Sequence, residues 1–200
     1  MKALKPQDVV VLLKLLEGGR TRPTYAQLAS HLFMSQSEVH ASIQRAKASR
    51  LVHHTALGDR PNVRALEEFL VHGVKYAFPP ERGGITRGVP TGSAAEPLNR
   101  EITQEEPVPV WPFEEGPRRG YAFSPLHKSV PRAAMKDPKL YELLALVDAI
   151  RDGGARERDL AQRALSSRLR AVTAPSSNHV AGNMTGKRVR AGRTPKRRKT

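Results

Sequence analysis

The side chains with most chemical potential in this 200-residue chain are small, polar and gathered between positions 35 and 50. On a helix, Gln36, Ser37, His40 and Gln44 fall on one outward face, with Arg45, Lys47 and Arg50 at its flank. Amides and hydroxyls pair with base edges in a major groove, while lysines and arginines hold phosphates. Ser35 heads the same stretch, and Arg60 and Arg64 follow as candidate phosphate contacts. Other chemistries find little footing. Without cysteine there is no disulfide framework, thiolate zinc site or cysteine nucleophile. Of the seven histidines, His53 and His54 are adjacent and would point to opposite faces of a strand. His31, His40 and His72 sit on separate helices without a carboxylate at ligand spacing. The glycine-rich run ERGGITRGVPTGSA (81–94) lacks the Lys-Ser or Lys-Thr ending of a phosphate loop and follows Pro79-Pro80 rather than a strand. It reads as turn-making chain, with Arg82 and Arg87 as its candidates for gripping an anion. The mixed-sign run Arg151–Asp159 reads as a solvated loop of local ion pairs. No Ser/His/Asp set or carboxylate pair stands out, so neither an enzyme, a metal site nor a cofactor is expected.

The elements that must position the polar cluster are legible in the periodicity. Pro6 opens a helix whose Val9, Leu12, Leu13 and Leu16 fall at i, i+3, i+4, i+7, and Gly18-Gly19 ends it. Thr24 with Gln27, and Ser35 with Glu38, have the spacing of capping boxes. They open two further helices that bury Leu28, Ala29 and Leu32, then Val39, Ile43 and Ala46, with the short link Phe33-Met34 between. A Gly58-Asp59 turn predicts a short hairpin, and Asn62 caps a helix marked by Leu66, Phe69, Leu70 and Gly73.

Two helices joined by about three residues, the second opened by a Ser cap, make a helix-turn-helix. The stretch LASHLFMSQSEVHASIQRAKASRLV resembles the DNA-binding module of winged-helix bacterial transcriptional regulators of the MarR-like kind, over roughly residues 6–72. The resemblance implies a sequence-specific DNA-binding regulator in which the hairpin is a wing crossing a phosphate backbone, and it makes a homodimer plausible. Two positions depart from the pattern: Phe33 stands at the turn position usually taken by glycine, and Arg50 at the helix exit usually taken by glycine. A winged helix that makes protein contacts alone competes with this reading. Its face would more often be apolar, whereas here it is polar with basic flanks.

Four regions follow: a winged helix-turn-helix domain (1–76), a Pro- and aromatic-rich arm or linker (77–134), a C-terminal helical hairpin (135–172) and a disordered basic tail (173–200), a mainly α fold. Residues 73–134 hold 10 of the 16 prolines yet also Tyr76, Phe78, Trp111, Phe113, Tyr121 and Phe123, which predicts an extended arm that docks its aromatics on its own or a partner's surface. That arm carries the alternative function, an adaptor or antitoxin-like protein that binds a partner and uses the winged helix for autoregulation. In the hairpin, Asp137 and Pro138 open a helix with Leu140, Leu143, Leu144, Val147 and Ile150. Gly153-Gly154 breaks it before a second helix bearing Leu160, Ala164, Leu165 and Leu169. Its stripes need a cover: the first module, the arm, or a second copy of the chain. Of the net charge of +15, residues 1–72 contribute +4 and residues 173–200 contribute +8 with no acid. Such a tail adds sequence-independent affinity for double-stranded DNA by releasing counterions. No stretch approaches a membrane span or a signal peptide's apolar core, so the expected location is cytoplasmic, at the nucleoid.

Overall fold

Helix α1 (Pro6–Glu17) begins at its proline and buries far more than one stripe: Val9 to Leu13, Leu15 and Leu16 are all inside. It is apolar nearly all round because it is covered nearly all round, by α2 (Tyr25–Leu32) and α3 (Gln36–Ala48) and by the distant α7 (Pro138–Asp152). Both capping boxes form as their spacing predicts. Thr24 accepts from the Gln27 amide while Gln27 returns a bond to the Thr24 amide, and Ser35 and Glu38 do the same. The computed structural model describes residues 3–18, 23–55 and 58–173, and the chain is mainly helical with two small β assemblies. The basic tail expected over 173–200 lies, past Thr173, outside the described residues, as does Gly19.

After α3 the chain forms a hairpin of β1 (Val52–Thr55) and β2 (Gly58–Pro61), registered from Val52 opposite Pro61 to Thr55 opposite Gly58. Gly58-Asp59 therefore opens the second strand, and does not make the turn expected of it. Gly58 takes φ 98°, which frees the chain to enter the strand at that point. The helix capped by Asn62 is interrupted: α4 (Val63–Glu68) passes through a π-helical turn (Phe69–Gly73) into α5 (Val74–Ala77).

Residues 77–134 are not an extended arm. They hold β3 (Arg82–Pro90), β4 (Pro109–Pro112) and β5 (Arg118–Phe123), each paired with the other two in a small closed barrel, and the start of α6 (Val130–Lys136). Proline excludes long helices, but three of these prolines end strands, Pro90 on β3 and Pro109 and Pro112 on β4, where a missing amide is tolerated. Of the glycine-rich run expected to make turns, Gly92 does so at φ 57°, whereas Gly88 on β3, like Gly120 on β5, permits close approach of strands. A Cβ on Gly88 would sit 2.1 Å from the Trp111 carbonyl oxygen, and one on Gly120 2.0 Å from that of Val108.

The hairpin of α7 and α8 (Ala155–Thr173) is covered within the chain. Leu140, Leu144, Val147, Ile150, Leu165 and Leu169 share one apolar core with α1, α2, α3, Trp111 and Phe123. Below Trp111 lies Asp148, 2% exposed, which accepts from Trp111 Nε1 (2.6 Å), Thr91 Oγ1 (2.9 Å) and Arg151 Nη1 (2.6 Å). Arg151 in turn donates to the carbonyls of Phe78 and Ser124. The run Arg151–Asp159 is thus not a solvated loop: Arg151 and Asp152 end α7, Ala155 to Asp159 begin α8, and Arg151 is buried with its Nε and Nη1 bonded to the carbonyls of Phe78 and Ser124 and to Asp148.

Candidate nucleic-acid interface

The turn between α2 and α3 is built around Phe33, whose φ 52° and ψ 42° are left-handed. Its amide closes the end of α2 and the Met34 amide bonds back to the Ala29 carbonyl, so the geometry suited to glycine is kept with an aromatic residue in place. Arg50, at the exit of α3, is likewise left-handed at φ 60°. Such a conformation costs roughly 1–2 kcal/mol for a non-glycine residue. Phe33 is partly exposed, and the Arg132 guanidinium of α6 lies 4.5 Å from its ring centroid.

Helix α3 turns Val39, Ser42, Ile43 and Ala46 inward and leaves Gln36, Ser37, His40 and Gln44 exposed, as the helical spacing predicts. Ser35 is exposed beside them with its hydroxyl and amide engaged by Glu38. Those two hydrogen bonds hold the Glu38 carboxyl below its ordinary range, the amide contributing most. On the outward face His40 and Gln44 touch through Nε2 atoms 3.4 Å apart, and the Tyr25 and His40 rings meet edge to face with centroids 5.6 Å apart.

Arg45 does not join this face. It is 6% exposed and forms a two-pronged pair with Asp8 of α1, Nε to Oδ2 at 2.8 Å and Nη2 to Oδ1 at 2.6 Å, with Ser42 Oγ as a third partner. Asp8 is itself fully buried and also accepts from the Lys5 amide. On the helix Arg45 sits between the buried Ser42 and Ala46, so its guanidinium anchors α3 to α1. Lys47 sits at the edge, its Nζ 2.8 Å from Asp59 Oδ1.

Asp59 gathers three donors from separate elements: Lys47, His54 Nδ1 at 2.8 Å and Tyr25 Oη at 3.0 Å. Burial pushes this carboxyl up, but the bonds from Lys47, His54 and Tyr25 together outweigh it and bring it to about 2. This knot, which locks the hairpin against α2 and α3, was not legible in advance. Its members are up to 34 residues apart, and only the spacing of His54 and Asp59 across a hairpin hints at it. Arg60 lies on β2 opposite His53, half-buried, while Arg50 and Arg64 are exposed. The structure thus brings Ser35, Gln36, Ser37, His40, Gln44 and Lys47 together along α3, and holds Arg45 apart.

Arg82 and Arg87 grip parts of the chain itself. Arg82 reaches Asp152 at 2.6 Å beside a cavity of about 540 Å³ between the barrel and the α7–α8 turn, and Arg87 donates to the Gly116 carbonyl. Among the described residues no three His, Asp or Glu side chains form a group that could hold a metal ion, and no helix is long and apolar enough to cross a membrane. No family model, curated protein or solved structure matches the chain.

Proposed function

We propose that the chain is a winged helix-turn-helix transcriptional regulator that binds double-stranded DNA by laying α3 in the major groove, with the β1–β2 hairpin as the wing. The observation that carries this reading is the exposed row Gln36, Ser37, His40 and Gln44 on a helix capped by Ser35 and anchored from behind by the Asp8–Arg45 pair. Base reading needs polar ends on a rigid support, because the geometry of a two-pronged amide contact tolerates little play. The buried pair and the Asp59 knot supply that rigidity from the two sides of α3 that are not outward. Arg50 and Arg64 are available for phosphates.

Against the adaptor reading, two of the arm's aromatics, Trp111 and Phe123, are 1% and 2% exposed in the chain's own core, while Phe113 and Tyr121 are half-buried. A selection on random duplexes tests the DNA reading. An enriched sequence is expected, and replacing Gln36, His40 or Gln44 by Ala should cost about 1–3 kcal/mol on it for each good base contact. If no sequence is enriched and salt removes all binding, the reading is refuted.

A further inference from the structure

Helix α6 and the turn before it come from a part of the chain some ninety residues beyond α3, yet they border the head of that helix. His127 Nε2 lies 3.7 Å from Glu38 Oε1, and Arg132 lies over the Phe33 ring. Lys128, Arg132 and Lys136 are all exposed and recur every fourth residue, which aligns Arg132 and Lys136 along one side of α6 with Lys128 just ahead. None of the three has an ion-pair partner among the described residues.

The placement of this row relative to the outward face of α3 follows from helix geometry. Lys47, bonded to the hairpin, and Glu38, beside α6, are nine positions apart, about 2.5 turns at 3.6 residues per turn. They therefore lie on opposite flanks of α3. The hairpin lies beside the polar row at Lys47, and α6 with the turn before it lies at the head of α3, on the flank opposite Lys47. Phe33 fits this arrangement: a left-handed position that glycine would occupy without strain holds an aromatic ring, and that ring carries Arg132.

We propose that Lys128, Arg132 and Lys136 form a second phosphate-binding edge, which grips the sugar-phosphate backbone of the same duplex on the side of α3 away from the wing, with Phe33 as a positioning residue for Arg132. The proposal rests on the reading of α3 as the DNA-reading helix. Contacts of this kind carry charge but no sequence information, so they appear in the salt dependence of binding and leave base preference alone.

The test uses the full chain, its selected duplex and anisotropy titrations between 50 and 200 mM salt. Each of Lys128→Ala, Arg132→Ala and Lys136→Ala should lower the slope of log K against log salt by about 0.9, and the triple variant by about 2.7, with the base preference unchanged. Gln44→Ala should do the opposite, relaxing preference at constant slope. Phe33→Gly should weaken binding roughly two- to fivefold while its urea midpoint stays level or rises. Unchanged slopes in variants that unfold at the parent's urea midpoint overturn the edge while leaving α3 intact. If Gln44→Ala also has no effect on preference, the DNA reading itself fails and the edge with it. Unchanged affinity in Phe33→Gly overturns the positioning role.

Discussion

The Asp8–Arg45 pair separates a structural arginine from a DNA-contacting one, and replacing Arg45 by Ala measures which it is. That change strands a carboxylate at 0% exposure, its two charged contacts of 2.6 and 2.8 Å gone. Breaking a buried pair from one side costs about 3–5 kcal/mol, a large share of the roughly 5–15 kcal/mol that holds a domain together. With a urea slope of about 2 kcal/mol/M, the midpoint should fall by roughly 1.5–2.5 M. Replacing both partners, Asp8→Leu with Arg45→Met, removes the stranded charge, and most of the loss should return. About 1 kcal/mol stays missing, because Asp8 also accepts from the Lys5 amide at the start of α1. The double variant should bind DNA with the parent's salt slope. A loss below about 1 kcal/mol in Arg45→Ala would refute the anchoring role. So would a double variant whose slope drops by about 0.9, as a lost phosphate contact requires.

Burial pushes the Glu17 carboxyl up to about 7, against the pull of Lys14, while Asp137 adds repulsion. The unfolded chain gives up this proton near pH 4.5 and the folded chain only near 7, so stability should decline as pH rises through that window, by about 3 kcal/mol at most. Glu17→Gln should flatten the decline in urea midpoints between pH 5 and 7; a parent equally stable at both would count against it. Asp59 acts in the opposite sense. Its lowered carboxyl contributes stability that is complete above about pH 4 and lost toward pH 2, of the order of 2 kcal/mol, and Asp59→Asn should abolish that acid sensitivity in a pH-dependent melt. Trp111→Phe keeps most of the ring but deprives the buried Asp148 of one donor, and should lower the unfolding free energy by about 1–3 kcal/mol; an unchanged value would mean that Thr91 and Arg151 suffice.

The local elements were readable because their signals are local. A cap and its partner three residues on, an apolar stripe at helical spacing and a proline at a helix start each involve one turn of backbone, so the boxes at Thr24 and Ser35 and the outward row from Gln36 to Gln44 could be found in the letters. The stretch from 77 to 134 could not be found this way. Its strands gain their partners across gaps of up to 41 positions, as in Arg82 opposite Phe123, and the glycine close approaches have meaning only once those strands meet. Proline counting correctly ruled out long helices there, but it says nothing about which short strands will pair.

The amino-acid sequence alone determined that a capped, amphipathic α3 presents Gln36, Ser37, His40 and Gln44 outward, since a helix's inner and outer faces follow from its own periodicity. Only the tertiary structure decided which cations remain for a ligand. A guanidinium's partner is set by what lies within a few ångströms, and Asp8 is 37 residues from Arg45 along the chain. That contact takes Arg45 out of the outward face and Asp59 ties down Lys47, while α6 brings Lys128, Arg132 and Lys136 to the opposite flank of α3.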